Sequence, residues 1–298
     1  MLFQMPRLIK DCMYLLRPEQ WLKNLLVLAP PFFGGVLFTS SEMVISMVLA
    51  FFAFSLASST AYITNDISDI ESDRLHPKKK LRPLASGRVG VTEAAVLAII
   101  TLIISLVLSF LVNKGFLLIT VVYLVLSLLY SLYFERIVIV DAFIIAIGFV
   151  LRIEAGGLAS GIEVTSWLLL TTFLLSLLLV FGKRRFELAM VKNNRVKFRK
   201  VLAHYNEKFL DTALGIFATS ALVTYSIYVV DSESKIFLFT IPFACYGILR
   251  YMYLVQTDKS GDPTEALLKD KWLFLCVVIW LLATSLIIYF QDISGLIE

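Results

Sequence analysis

The most informative part of the sequence runs from residue 43 to residue 87. It reads MVISMVLAFFAFSLASSTAYIT and continues as NDISDIESDRLHPKKKLRPLASG. An apolar run of membrane-spanning length therefore ends in carboxylates, and cations follow them at once. If the helix continues past the apolar run, spacings of three, four and seven put Asn65, Asp66, Asp69 and Asp73 on one helix face.

Carboxylates that converge on one face repel each other unless a cation lies between them. Such hard oxygen ligands suit Mg²⁺, which proteins usually hold through one or two carboxylates together with substrate phosphates. The basic residues that follow are of the kind that binds phosphate oxygens, namely Arg74, His76, Lys78, Lys79, Lys80 and Arg82. The stretch thus predicts a magnesium-diphosphate site at a membrane surface, and the alternative is a solvated loop beyond a helix end.

The remainder of the chain has the composition of a membrane protein. Of its 298 residues, 59% are hydrophobic, which is high for a soluble domain. We expect an all-α membrane protein in which residues 1–298 form one integral-membrane domain. Nine transmembrane helices are predicted, at residues 22–40, 43–64, 92–112, 115–133, 138–160, 165–182, 209–230, 235–255 and 272–290.

The distribution of Lys and Arg predicts the orientation of these helices. With a cytoplasmic N-terminus, 24 of the 27 Lys and Arg residues fall in segments on the inner side of the membrane. This asymmetry satisfies the positive-inside rule with an odd number of spans. Residues 1–21 are expected to form an amphipathic segment on the inner leaflet, and residues 65–91 and 183–208 to form cytoplasmic loops that carry motifs.

Two basic residues allow two interpretations each. Lys23 either anchors the first helix by reaching the membrane surface or contacts a substrate. Arg152 lies within a predicted span, where an ionisable side chain is costly and usually faces a polar cavity or a partner. It either pairs with Glu154 or extends into a central cavity towards a phosphate.

Asn65-Asp66-x-x-Asp69-x-x-x-Asp73 at the end of a transmembrane helix resembles the first motif of the UbiA-type intramembrane prenyltransferases. That resemblance implies nine helices in a UbiA-like bundle, with a Mg²⁺-bound diphosphate at a cytoplasmic mouth. Many members carry a second aspartate-rich cluster where this chain has Lys183-Arg184-Arg185-Phe186-Glu187. This departure, with Arg17-Pro-x-Gln-Trp-x-Lys-Asn24, resembles the decaprenyl-phosphate phosphoribosyltransferase branch.

The resemblance assigns roles to individual residues. It implies Mg²⁺ and diphosphate at Asn65, Asp66, Asp69 and Asp73. It implies further phosphates at Arg74, Lys79, Arg82, Lys183 and Arg184. We assign catalytic roles to Asp66, Asp69, Asp73 and Lys183. The predicted substrate-binding residues are Lys23, Asn65, Arg74, His76, Lys79, Arg82, Arg152, Arg184 and Glu187.

The expected reaction is transfer of 5-phosphoribose from phosphoribosyl diphosphate to a polyprenyl phosphate. Three phosphate-bearing groups would then meet at one mouth, a load that a basic second motif can neutralise without another metal. The first alternative joins a polyprenyl diphosphate to an aromatic acceptor, and the second is a transporter of an anionic or lipid substrate. We expect membrane lipids and no nucleic acid as partners, and a prokaryotic plasma membrane as the location because no transit peptide is recognisable.

Overall fold

The computed structural model describes residues 7–74, 79–192, 202, 204–232 and 235–290. Within these ranges the chain is helical and forms no strand. Its α-helices are α1 (Arg7–Leu16), α2 (Ala29–Phe33), α3 (Ser41–Ser68), α4 (Ile70–Arg74), α5 (Val91–Val112), α6 (Lys114–Leu132), α7 (Val140–Ser160), α8 (Ser166–Lys192), α9 (Glu207–Asp231), α10 (Ile241–Gln256), α11 (Pro263–Lys269) and α12 (Lys271–Phe290). Short 3₁₀ helices cover Pro18–Leu28, Lys79–Leu81, Phe134–Arg136 and Lys235–Thr240.

Eight helices in the described part of the chain are long and apolar enough to cross a membrane. They are α3, α5, α6, α7, α8, α9, the helical segment Lys235–Gln256, and α12. These eight match the last eight predicted spans within a few residues, except that α8 continues to Lys192. The second motif therefore lies on a helix, and only part of the predicted loop 183–208 can be a loop.

The first predicted span, residues 22–40, is not one continuous helix. The chain forms a 3₁₀ helix over Pro18–Leu28 and only five residues of α-helix in α2. Pro30 and Pro31 supply no N–H groups, and Gly35 has a positive φ of 70°. The N–H groups of Val36 and Leu37 bond the Pro31 carbonyl, so the break satisfies its own backbone groups.

This irregular segment packs closely against α7. At Gly156 an added Cβ would lie 2.0 Å from the Val27 carbonyl oxygen, so only glycine allows the two backbones to approach this closely. The 3₁₀ helix Pro18–Leu28 also contacts α3. It thereby places residues 17–30 against the interior of the bundle.

Helix α7 joins two hydrophobic cores. Its Ala142 and Ala146 pack with α8, α9 and α10, while Ala155 packs with α3 and α6. Hydroxyl groups add links between helices, as where Ser105 donates to the Ala53 carbonyl at 2.8 Å and joins α5 to α3. Small and hydroxyl-bearing residues at such contacts are typical of helix packing in membranes. The helices leave an open space beside α7, and this space is a cavity.

Candidate active site

A cavity of about 1630 Å³ lies between the 3₁₀ segment Pro18–Leu28 and helices α3, α6, α7, α8, α10 and α12. Its apolar wall includes Phe33, Trp167 and Trp280. Most of its charged residues come from four places, namely the segment that follows α3, the 3₁₀ helix that follows α6, the C-terminal half of α8, and the residue that caps α11. Because successive spanning helices alternate in direction, these places lie on one side of the bundle. The cavity therefore has a charged end and an apolar body.

The four residues of the acidic motif do not share one environment. Asp66 does not line the cavity and is only 3% exposed. Its Oδ1 accepts hydrogen bonds from Arg17 Nη2 at 2.5 Å and from Arg82 Nη1 at 2.9 Å. Arg82 Nη1 also donates to Asp73 Oδ2 at 2.6 Å, so one guanidinium bridges two aspartates. The expectation that Asp66 faces the substrate alongside its neighbours is thus not met, because two arginines already bind its carboxylate.

The other three residues, Asn65, Asp69 and Asp73, line the cavity. Helix α3 ends at Ser68, yet Asp69 N–H bonds the Asn65 carbonyl at 2.9 Å and Asp73 N–H bonds the Asp69 carbonyl at 2.8 Å. These bonds carry the helical register across the junction with α4. Asn65 Nδ2 donates to Asp69 Oδ2 at 3.0 Å, and Ser131 Oγ donates to Asn65 Oδ1 at 2.9 Å. The oxygen and nitrogen of the Asn65 amide are therefore both occupied by protein groups.

The donor set fits Mg²⁺ only in part. No three His, Cys, Asp or Glu side chains converge to hold a metal ion within the described ranges. Asp69 and Asp73 nevertheless both face the cavity. Asp73 Oδ1 is buried without a hydrogen bond, although Lys79 Nζ lies 3.3 Å away. Two carboxylates are the usual protein share of a Mg²⁺ site completed by phosphates and water, so Asp69 and Asp73 fit this ion better than Asn65 and Asp66 do.

Of the predicted phosphate ligands that follow the acidic motif, some line the cavity and others do not. Lys79 and Arg82 line the cavity. Arg74 is exposed, does not line it, and donates from Nε to the Ala85 carbonyl at 3.3 Å. His76 lies outside the described residues, as does Lys78.

Across the cavity, Lys183 and Lys23 contribute charge from α8 and from the 3₁₀ segment. Lys183 Nζ donates to Asp262 Oδ2 at 2.9 Å, and Lys23 Nζ donates to Gln20 Oε1 at 2.7 Å. Both lysines and Asp262 line the cavity. For Lys23, this position favours a substrate contact over a purely interfacial anchor.

Arg184 and Glu187 line the cavity and also take part in ion pairs within the bundle. Arg184 is 1% exposed, and its guanidinium lies 2.9 Å from Asp141 Oδ2 and 3.1 Å from Glu187 Oε2. Tyr205 donates its hydroxyl to Asp141 Oδ1 at 3.1 Å. Burial, with Asp141 nearby, raises the pKa of Tyr205 to about 12, so the hydroxyl stays protonated as a donor. Both residues touch the cavity, but these contacts join α7, α8 and the segment before α9.

Arg152 is buried and lines the cavity, as the second interpretation of the sequence expected. Its Nε donates to Asn24 Oδ1 at 2.8 Å, its Nη1 to the Gly148 carbonyl at 2.6 Å, and its Nη2 to the Tyr123 hydroxyl at 3.1 Å. Its guanidinium also lies 4.9 Å from the centre of the Tyr123 ring. Its partners are neutral, and it forms no ion pair with Glu154. The predicted pairing of these two residues is therefore wrong.

Three residues at this site were not predicted as site residues. Arg17 adopts a positive φ of 51° just before Pro18 and forms an ion pair with Asp66. Asn24 is fully buried and connects Arg152 to Ser55. Asp262 caps α11 and binds Lys183. The Asp-Pro pair 262–263 signals a helix start, but no local pattern reveals the distant partner of any of these three residues.

A bundle of membrane-length helices around a cavity with a charged end and an apolar body defines a polytopic membrane protein with an amphipathic cavity. The comparison with known families agrees with this class. The model of the UbiA prenyltransferase family matches residues 28–276, and the chain belongs to that family.

The relatives narrow the identification further. The chain is 34% identical over 297 residues to a decaprenyl-phosphate phosphoribosyltransferase of Corynebacterium glutamicum, covering 96% of this chain and 89% of that protein. It is 32% identical over 300 residues to the protein of the same name from Mycolicibacterium smegmatis, covering 95% and 94%. These similarities place the chain in the decaprenyl-phosphate phosphoribosyltransferase branch and identify it as a transferase rather than a transporter.

Solved structures support the fold. A UbiA homologue from Archaeoglobus fulgidus, bound to GPP and Mg²⁺, superimposes with a TM-score of 0.73 at 21% sequence identity. The match covers 94% of this chain and 99% of that one. A UbiA homologue from Aeropyrum pernix gives a TM-score of 0.64 at 17% identity.

Proposed function

We propose that this protein transfers 5-phosphoribose from phosphoribosyl diphosphate to a polyprenyl phosphate, with release of diphosphate and with Mg²⁺ as cofactor. The names of its relatives support the reaction. The observation that carries the proposal is the division of charge in the cavity. Carboxylates and cations of the first motif line one part of the cavity, and Lys183 of the basic second motif lines it together with Lys23 and Arg152.

At the acidic side, Asp69 and Asp73 would hold Mg²⁺ against the diphosphate of the donor. When bound there, the ion acts as a Lewis acid that neutralises charge growing on the departing diphosphate. Lys79 and Arg82 stabilise the same developing charge by donating hydrogen bonds to phosphate oxygens. Asp66 holds Arg82 in place through an ion pair, and Arg82 in turn holds Asp73 through a second ion pair.

On the basic side, Lys23, Lys183 and Arg152 bind a further phosphate group and orient it towards the reacting carbon. A lipid phosphate oxygen is already anionic, so its attack on C1 of the ribose needs no general base. Asp262, the carboxylate of this side that pairs with Lys183, is consequently not required as a base. The apolar body of the cavity would accommodate part of the lipid chain and exclude water from the reacting centre.

We further infer that the charged end faces the cytoplasm of a prokaryotic plasma membrane. The excess of Lys and Arg on that side supports this orientation. The lipid phosphate then reaches the site from the inner leaflet, and the soluble donor arrives from the cytoplasm.

The proposal is tested by diphosphate release from the purified protein in detergent with Mg²⁺. One mixture contains phosphoribosyl diphosphate and a polyprenyl phosphate, and the other contains a polyprenyl diphosphate and an aromatic acid. We expect diphosphate only from the first mixture. Release only from the second would replace the proposed reaction by prenyl transfer to an aromatic acceptor, and release from neither would refute both.

Asp69→Asn tests the metal-binding side in the same assay. The amide keeps an acceptor for Asn65 but removes the charge that Mg²⁺ requires, so we expect at least about a 100-fold loss of rate. Glu71→Gln is the matched control, because Glu71 lies two residues away, is exposed and does not line the cavity. Near-normal activity of Asp69→Asn would show that Asp69 does not hold the metal.

A further inference from the structure

Asp262 is a carboxylate placed among the cations that are proposed to bind phosphate. Its Oδ2 accepts the 2.9 Å hydrogen bond from Lys183 Nζ, and its side chain is 25% exposed. Lys183, Arg152 and Arg17 all lie within electrostatic range of Lys23. Burial alone would raise the pKa of Asp262, but Lys183 and Lys23 hold that pKa below its usual range, so the carboxylate is charged.

The backbone around Asp262 is held firmly against α8. An added Cβ at Gly261 would lie 2.1 Å from the Cβ of Phe186, so the loop touches α8 with no side chain between them. The Tyr251 hydroxyl reaches the Gly261 carbonyl at 3.4 Å. The position of the carboxylate beside Lys183 is therefore set by packing and does not depend on the ion pair alone.

The two oxygens of Asp262 have separate tasks. Oδ1 accepts from the N–H groups of Thr264 at 3.1 Å and Glu265 at 3.3 Å, which caps α11. Only Oδ2 binds Lys183. The side chain can therefore release Lys183 and keep its hydrogen bonds to the start of α11. A phosphate could then replace the carboxylate at Lys183 without loss of the helix cap.

We propose that Asp262 is an internal anion that occupies a phosphate subsite at Lys183 and Lys23 and that a phosphate monoester of a substrate displaces. This inference rests on the proposed function, because it requires a phosphate-bearing substrate in the cavity. In the empty protein the carboxylate offsets repulsion among the cations of the basic side. On binding, the phosphate takes over Lys183, and Asp262 then acts as a like charge beside the ligand that limits its affinity.

The test compares binding by variants that keep the cap and lose the charge. Asp262→Asn and Asp262→Ser both retain a good N-cap. Asp270→Asn is the matched control, because Asp270 also accepts a capping bond, from Leu273 N–H at 2.8 Å, and pairs with Arg250, yet does not line the cavity. Isothermal titration of the full-length protein in detergent without Mg²⁺ gives the dissociation constants. The probes are ribose 5-phosphate and farnesyl phosphate, with ribose and farnesol as phosphate-free references.

We expect both Asp262 variants to bind at least one phosphate probe about tenfold more tightly than the wild type, the effect of removing one nearby like charge. Asp270→Asn and both phosphate-free references should show no such gain. A gain for ribose 5-phosphate alone assigns the subsite to the sugar phosphate, and a gain for farnesyl phosphate alone assigns it to the lipid headgroup. Unchanged or weaker binding in either variant that melts near the wild-type temperature would overturn the inference.

These measurements need no turnover, so they separate the two proposals. Suppose that the Asp262 variants bind phosphate more tightly but neither substrate mixture releases diphosphate. This result would support Asp262 as a displaceable anion and refute the proposed reaction. Diphosphate release from the phosphoribosyl diphosphate mixture without tighter phosphate binding by the variants would support the proposed reaction and refute the role of Asp262.

Discussion

Asp66→Ala should destabilise the protein, although Asp66 belongs to the same motif as the metal-binding candidate Asp69. The Asp66 carboxylate is buried and accepts hydrogen bonds from two arginines, Arg17 and Arg82. Among the residues that the structure describes, its removal leaves Arg17 without a carboxylate partner and leaves Arg82 with Asp73 alone. Asp69 instead faces the cavity and is partly exposed.

The magnitude follows from these contacts. Removing one partner of a fully buried ion pair costs about 3–5 kcal/mol. Arg17 and Arg82 are 18% and 20% exposed, so water can partly solvate them once Asp66 is gone, and we expect about 2–3 kcal/mol. For a chain of this length, that loss corresponds to a fall in melting temperature of about 3–5 °C. Asp69→Ala should lower it by no more than about 2 °C.

Thermal unfolding in detergent can be followed with a thiol-reactive fluorophore, because Cys276 is buried and Cys12 and Cys245 are partly buried. Each variant is compared with Glu71→Ala as a control for loss of an exposed carboxylate. Equal melting temperatures of Asp66→Ala and the wild type would refute the structural role of Asp66. A fall in Asp69→Ala as large as that in Asp66→Ala would remove the distinction between the two aspartates.

Two further predictions concern α8 and α7. Lys183→Ala should raise the KM for phosphoribosyl diphosphate about tenfold with little change in melting temperature. Arg184→Met should instead lower the melting temperature by several degrees, because Arg184 compensates the charge of the buried Asp141. The opposite pattern would show that Arg184 binds the donor and that Lys183 stabilises the fold. Gly156→Ala should destabilise the protein by about 1–3 kcal/mol because its Cβ meets the backbone at Val27. Gly215→Ala, where a Cβ meets nothing within 4 Å, is the control, and equal melting temperatures of the two variants would contradict the close contact.

The sequence predicts the apolar helices well, because hydropathy over twenty residues is a local property. It overestimates the first span, since residues 22–40 are mostly apolar even though Pro30, Pro31 and Gly35 interrupt the helix. Those residues signal a break, but they do not indicate where the freed backbone groups find partners. In this fold the partners are carbonyls of the same segment, and α7 covers it through Gly156.

The acidic motif shows more clearly what residue spacing in the sequence cannot predict. Spacing predicts that Asn65, Asp66, Asp69 and Asp73 share a face, and the structure keeps the helical register through Asp73. Spacing does not reveal what covers part of that face. Arg17 comes from 49 residues earlier and binds Asp66, which turns one member of the motif into a buried support for its neighbours.

The run Lys183-Arg184-Arg185 illustrates why a cluster of like charges in sequence is not one site. Consecutive helical residues differ by about 100° in direction, so three neighbours must face three environments. Lys183 reaches the cavity and Asp262, Arg184 reaches Asp141 within the bundle, and Arg185 donates to Asp211 of α9 at 3.0 Å. Each of the three cations thus has a carboxylate partner in the protein, but Arg184 and Arg185 are only 1% and 12% exposed, whereas Lys183 is 39% exposed. In the proposed reaction, the charge of a substrate phosphate on this side would therefore be met by Lys183 together with cations from other elements, above all Lys23 and Arg152. These residues are distant in sequence, so the basic second motif supplies only one part of the phosphate-binding charge.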